Sequence, residues 1–167
     1  FLGLGANLGE REAQLRAALD LLDGDGIRLE AVAGLWETEP VGVREQPWFL
    51  NTVAAVATAL EPEALLGRAL AVEAALGRVR GVRWGPRRID VDLLWLEGVA
   101  RAGRELTLPH PRLGERSFVL EPLAELAPEL RLADGRRVAE AAAELRARAG
   151  APAVRLLRPR GWYRATL

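Results

Sequence analysis

The sequence predicts an α+β fold of the ferredoxin-like βαββαβ plan. Three observations carry that reading: strand-like apolar patterns in four segments, a 3.6-residue apolar period in two others, and their order of strand, helix, strand, strand, helix, strand. Phe1 to Gly5 reads as the first strand. The glycine-rich turn Gly5-Ala6-Asn7-Leu8-Gly9, with Asn7 tolerating an awkward backbone angle, leads into a helix over Glu10 to Leu22 that carries Leu15, Leu19 and Leu22 on one face. Ile27 to Glu37 alternates as a second strand, and Leu50 to Leu60, rich in valine, alanine and threonine, reads as a third. Pro40 to Pro47 between them is a loop. Pro62 opens a second helix whose stripe of Leu65, Leu66, Ala69, Leu70, Val72 and Leu76 stops near Gly77. Ile89 to Leu96 is the fourth strand. Both helices are expected on one face of an antiparallel sheet, with the opposite face left for a ligand. Beyond this unit, Val119 to Leu126 and Val138 to Ala149 read as additional helices and Val154 to Leu157 as a late strand. No repeat or interdomain linker interrupts the chain, so residues 1–167 are expected to form a single domain.

Hydrophobic residues make up 50% of the sequence and charged ones 28%, a globular balance, and the apolar runs are too short to span a bilayer. Phe1 opens on an apolar run without a secretion-signal pattern, which makes a cytoplasmic location and no membrane partner the expectation. The absence of cysteine excludes disulfides, thiolate metal sites and cysteine nucleophiles. Basic and acidic residues number 23 each, so the overall charge points to no nucleic-acid partner. Every basic residue is an arginine, which therefore also fills routine surface roles.

The sharpest chemical signal is Trp84-Gly85-Pro86-Arg87-Arg88-Ile89-Asp90-Val91-Asp92. On a strand, Asp90 and Asp92 share a face about 7 Å apart, where two carboxylates can hold hard cations between them. For a bare Asp-x-Asp, a pair of solvated strand carboxylates beside arginines is the plainer reading, and the neighbouring residues shift the balance. Upstream, Arg78, Arg80, Arg83, Arg87 and Arg88 fall within eleven residues with no acid among them. Guanidinium forks match phosphate oxygens, and Gly77, Gly81, Gly85 and Pro86 make the segment a loop able to close over a polyphosphate. A solvated basic loop is the plainer alternative.

His110 is the sole histidine, set between Pro109 and Pro111, with Arg116 nearby; it suits either donation to a phosphate or a structural hydrogen bond. The sole serine, Ser117, lies seven residues on, which excludes a hydrolase triad. Phe49 and Phe118 are aromatics outside any helical stripe. Each fits the core, or a flat heterocycle stacked between them while Asn51 reads its edge. The Gly5 to Gly9 turn has neither the P-loop ending nor the dinucleotide-binding spacing.

Taken together, these segments resemble the 6-hydroxymethyl-7,8-dihydropterin pyrophosphokinases. The likeness rests on Gly5 to Gly9; Thr38-Glu39-Pro40-Val41-Gly42 through Gln46-Pro47-Trp48-Phe49-Leu50-Asn51; Gly77-Arg78-Val79-Arg80 with Arg83 to Asp92; and Leu108-Pro109-His110-Pro111 with Arg116-Ser117-Phe118-Val119-Leu120. It implies pyrophosphoryl transfer from ATP, the co-substrate, to the pterin alcohol in folate biosynthesis. Asp90 and Asp92 would bind two Mg2+ ions and, with Arg78 and Arg87, would form the catalytic set. Phe49 and Phe118 would sandwich the pterin, Asn51 would hydrogen-bond it, and Thr38, Pro40, Val41, Gly42 and Asp90 would complete its pocket. ATP would meet Glu73, Arg78, Arg87, Thr107, His110 and Arg116, with Arg80 and Trp84 in a closing loop. Ala6 stands where the family usually has serine and Glu105 where it often has a basic residue, so nucleotide contacts there depart from the pattern.

The expected chemistry is in-line attack on the β-phosphorus with AMP leaving. Its rivals are a metal-dependent phosphohydrolase or nuclease using the same aspartates, and a ferredoxin-like module that binds RNA or senses a nucleotide without turnover. A monomer is favoured.

Overall fold

The computed structural model describes residues 1–42, 45–78 and 86–164. The βαββαβ order appears as β1 (Leu2–Ala6), α1 (Arg11–Leu22), β2 (Ile27–Val32), β3 (Leu35–Thr38), β4 (Phe49–Thr58), α2 (Pro62–Ala75) and β5 (Asp90–Leu93). It continues through a two-residue hairpin pair, β6 (Arg101–Ala102) and β7 (Thr107–Leu108), which periodicity does not reveal, to α3 (Ser117–Leu126), α4 (Val138–Ala147) and β8 (Val154–Arg158). Among the described residues the main sheet is antiparallel with order β5-β1-β4-β3-β8, and β2 also pairs with β4.

The single strand expected over Ile27 to Glu37 is two strands sharing one partner: β2 takes the Ala54–Thr58 end of β4, and β3 takes Phe49–Asn51. The break falls at Ala33 and Gly34. A Cβ on Gly34 would stand 2.6 Å from Leu156 Cδ1 and 2.9 Å from the Arg158 carbonyl, so only glycine lets β8 approach this closely. The fourth strand is also shorter than Ile89 to Leu96, because at Leu94 the N–H turns to the Phe1 carbonyl, where β1 runs out. At the first turn, Asn7 keeps an ordinary backbone angle; the left-handed residue is Gly9, at φ 64°.

Period and burial agree for both early helices: Leu15, Ala18, Leu19 and Leu22 of α1, with Leu65, Ala69 and Val72 of α2, pack on Leu2, Leu4, Leu50, Val91 and Leu93 of the sheet. The opposite face is only partly open, contrary to the sequence expectation. Leu120 and Leu123 of α3 bury Val53 and Leu94, and Val138 and Ala141 of α4 close the layer behind them. On that face, among the described residues, the space left for a ligand is at the end of the sheet where Asp90, Asn51 and Thr38 lie.

β8 is tied to β3 through Glu37, a buried carboxylate. Arg11 Nη1 donates to its Oε1 at 3.1 Å, and Arg155 Nε to its Oε2 at 2.9 Å. Burial alone would raise the pKa of Glu37, but the hydrogen bonds from Arg155 and Arg11 hold it below the usual value of 4.5. A depressed carboxylate stabilises the fold above its unfolded pKa and loses that contribution as pH falls through the folded value. Glu37→Gln is therefore expected to lower stability by about 1–2 kcal/mol at pH 7, with the gap to wild type narrowing at about pH 3. Urea unfolding at both pH values checks this; a constant gap contradicts it.

Candidate active site

The floor of the site follows from strand register. Gly5 of β1 lies opposite Asn51 of β4 on one side and Asp90 of β5 on the other; Gly3 lies opposite Val53 and Asp92. Side chains alternate, so both aspartates and Asn51 rise from the same face, while Val91 and Leu93 enter the core. Between them the two glycines leave a trough. A Cβ on Gly5 would fall 2.6 Å from Asn51 Oδ1, so the strand is bare where the two flanking side chains need the room. The trough opens into a cavity of about 310 Å³ that collects Thr38, Val41, Phe49, Asn51, Arg87, Asp90, Asp92, His110, Arg116 and Phe118.

One end is ionic. Arg78 Nη1 lies 2.7 Å from Asp90 Oδ1 and also pairs with Glu73, while Arg87 Nη1 donates to Asp90 Oδ2 at 2.5 Å. Arg116 Nη1 stands 3.7 Å from Asp92 Oδ2. Burial, then the neighbouring charge of Asp90, raises Asp92 to about 6. Glu73 is raised to about 7 by burial, against the Val91 N–H, which donates to it at 2.7 Å, and against Arg78; the Asp90 charge adds to the rise. Burial alone would lower Arg78, but the Asp90 and Glu73 carboxylates outweigh it and hold the guanidinium charged. Three carboxylates thus interlock with three guanidiniums, so the formal charges of the trough balance. Burial, with the charges of Arg116 and Arg112, lowers His110. The Arg112 N–H donates to its Nδ1 at 3.0 Å, which leaves Nε2 to carry the proton of the neutral ring and to donate to an anion.

The other end is aromatic and amide. Phe49 and Phe118 are half-buried on the cavity wall, and Asn51 Nδ2 donates to Thr38 Oγ1 at 2.7 Å. Arg116 lies with its guanidinium carbon 5.6 Å from the Phe118 ring centre, linking the two ends.

Not every residue singled out from the sequence lines this cavity. Glu73 and Arg78 reach it through Asp90. Pro40 and Gly42 flank Val41 without forming the wall, and Thr107 is exposed on β7 with its hydroxyl on the Gly103 carbonyl at 3.2 Å. Arg80 and Trp84 lie outside the described residues. Sequence reasoning missed the role of Asn7, which is buried. Its Nδ2 donates to Gln46 Oε1 and the Pro47 carbonyl at 3.0 Å each, and its Oδ1 accepts from the Arg87 N–H at 2.7 Å. One amide thus ties the loop before Phe49 to the arginine before Asp90. An asparagine set between Gly5 and Gly9 was the available signal.

For a metal, the donor set is two carboxylates; among the described residues no group of three or more His, Cys, Asp or Glu forms a full protein cage. That set fits a hard dication such as Mg2+, which takes one or two carboxylates and completes its shell with phosphate oxygens and water.

Comparison with known proteins identifies the family. Residues 1–128 match the family model for 7,8-dihydro-6-hydroxymethylpterin-pyrophosphokinase. A protein of Methylorubrum extorquens named 2-amino-4-hydroxy-6-hydroxymethyldihydropteridine pyrophosphokinase is 48% identical over 146 residues, covering 87% of this chain and 92% of the relative. Proteins of the same name from Pseudomonas aeruginosa and Bacillus subtilis are 45% and 41% identical, covering 84% and 78% of this chain and 87% and 78% of theirs. A crystal structure of an HPPK-DHPS protein in complex with substrates shares the fold, with a TM-score of 0.68 at 13% identity, over 86% of this chain and 42% of that one. With the family model spanning residues 1–128 and relatives at 41–48% identity, this chain belongs to the 7,8-dihydro-6-hydroxymethylpterin-pyrophosphokinase family.

Proposed function

We propose that the chain transfers the pyrophosphoryl group of ATP to the hydroxymethyl oxygen of 6-hydroxymethyl-7,8-dihydropterin, giving AMP and the pterin diphosphate in folate biosynthesis. The observation that carries this reading is the bare glycine trough of β1, which puts the Asp90 and Asp92 carboxylates and the Phe49, Asn51 and Phe118 wall in one cavity. Asp90 and Asp92 would hold two Mg2+ ions, which when bound neutralise charge on the phosphate oxygens. ATP with two such dications is electrically balanced, as is the site it enters.

The protein's own part is positioning. Arg78 and Arg87, released from Asp90, turn their forks to phosphate oxygens, and Arg116 and the Nε2–H of His110 donate from the facing wall. Phe49 and Phe118 stack on the pterin, Asn51 reads its edge, and Thr38 orients Asn51. Asp90, the carboxylate that reaches the pterin end among the described residues, would be engaged by the metal, so alignment of the alcohol with the β-phosphorus carries the rate. Arg80, Trp84 and Thr107 belong to the nucleotide side of this proposal. Residues 1–167 act as a single domain, monomeric and cytoplasmic; no helix among the described residues is long and apolar enough to cross a membrane.

ATP consumption should require the pterin alcohol. Incubation with ATP and Mg2+ alone is expected to release no phosphate above background, and steady phosphate release without pterin would instead support the phosphohydrolase reading.

A further inference from the structure

β8 does not line the cavity, yet it holds the backbone from which the heterocycle wall rises. Thr38 and Phe49 form the last rung of the β3–β4 ladder, and a terminal rung frays unless something beside it holds it. On the face of the sheet away from the cavity, Arg155 donates through Nε and Nη2 to Glu37 Oε2, and its guanidinium carbon lies 5.6 Å over the Trp48 ring. The other Glu37 oxygen accepts from Arg11 Nη1, and that nitrogen also donates to the Trp48 carbonyl at 2.6 Å. Next to this, the Glu39 N–H donates to the Ala153 carbonyl at 2.9 Å, and the Ala153 N–H to Glu39 Oε2 at 3.2 Å. Glu37 and Glu39 flank Thr38 in sequence, and Trp48 precedes Phe49. Thr38 and Phe49 are therefore fixed from behind, by Arg11 and by Ala153 and Arg155, the last two lying beyond the 1–128 span matched by the family model.

We propose that Arg155 is a positioning residue for the pterin: through Glu37, Arg11 and Trp48 it holds the last rung of β3 and β4 so that Thr38, Phe49 and Asn51 present one preformed wall. This rests on the assignment of that wall to the pterin. Preformation lowers the ordering cost of binding, so its loss falls on pterin affinity and leaves the phosphate end alone. Arg158 provides the internal control. It sits on the same strand and pairs with Glu12 at 2.9 Å, but at the Leu35 end, away from the last rung.

The test compares Arg155→Ala, Arg155→Lys, Arg158→Ala and Asn51→Ala in the whole chain, by steady-state KM for each substrate and thermal midpoint. Arg155→Ala is expected to raise the pterin KM about tenfold, with kcat and the ATP KM within about twofold of wild type. Arg155→Lys, which keeps the charge but loses the planar fork, should fall between, and Arg158→Ala should leave both KM values unchanged. If Arg155→Ala proves too unstable to assay, the lysine variant alone decides. The inference is overturned if the Arg155 variants shift pterin KM no more than Arg158→Ala does, or if they move both KM values together. Asn51→Ala separates the levels: unchanged pterin KM there overturns the wall assignment itself, whereas a raised value beside a silent Arg155 overturns only the inference.

Discussion

Asp92→Ala is expected to lower kcat about a thousandfold, equivalent to about 4 kcal/mol of transition-state stabilisation, while pterin affinity stays within about threefold. Asp92 is the cleaner of the two aspartates to remove. Asp90 engages Arg78 and Arg87 on its two oxygens, so its loss would also take a partner from two guanidiniums, one of which pairs with buried Glu73. Asp92 faces only Arg116, at 3.7 Å, among the ion pairs of the described residues. Its raised pKa gives a second readout in metal-free buffer. An acid whose folded pKa is raised from 3.8 to about 6 destabilises the fold progressively as pH climbs through that window. At pH 7, Asp92→Asn should consequently be no less stable than wild type although it is inactive, the pattern of a residue kept for chemistry at some cost in stability. Steady-state kinetics, pterin binding and urea unfolding of the two variants check the three statements. An Asp92→Ala enzyme with near-normal kcat removes the metal-binding role from the proposal.

The pterin end should respond in the opposite sense. Asn51→Ala is expected to weaken pterin binding about a hundredfold, because a buried amide shaped to pair with the heterocycle leaves unpaired groups behind when it is lost. The trough gives an independent route to the same residue. Gly5→Ala places a methyl group 2.6 Å from Asn51 Oδ1, and the amide, the tip of a rotatable side chain, moves more readily than the strand. The fold survives and the Asn51–Thr38 hydrogen bond does not, so pterin affinity should fall about tenfold with little change in ATP affinity. Since both substitutions act through one amide, the double variant should be no worse than Asn51→Ala. Calorimetric titration with a pterin ligand measures all three; additive losses would mean that Gly5 serves another purpose.

What was legible in the sequence was local. The alternation that puts Asp90 and Asp92 on one face, and Phe49 and Asn51 two positions apart on β4, needs only the period of a strand. The helices followed from Leu15, Leu19 and Leu22 and from Leu65, Ala69 and Val72 at helical spacing. What escaped depends on distant partners. The break between β2 and β3 exists because β4 serves both and β8 crowds Gly34. Asn7 joins residues 39 and 80 positions away, and Glu37 meets Arg155 across 118. The trough at Gly3 and Gly5 was visible only as glycine; that it lies between Asn51 and Asp90 is a fact of register. Coverage of the second face by α3 and α4 likewise depends on where the last third of the chain returns.

Nucleotide analysis after a single incubation with ATP, Mg2+ and 6-hydroxymethyl-7,8-dihydropterin tests the proposed transfer most directly. One AMP for each pterin diphosphate formed is the result expected of attack at the β-phosphorus. ADP together with a pterin monophosphate would place the attack at the γ-phosphorus and contradict it.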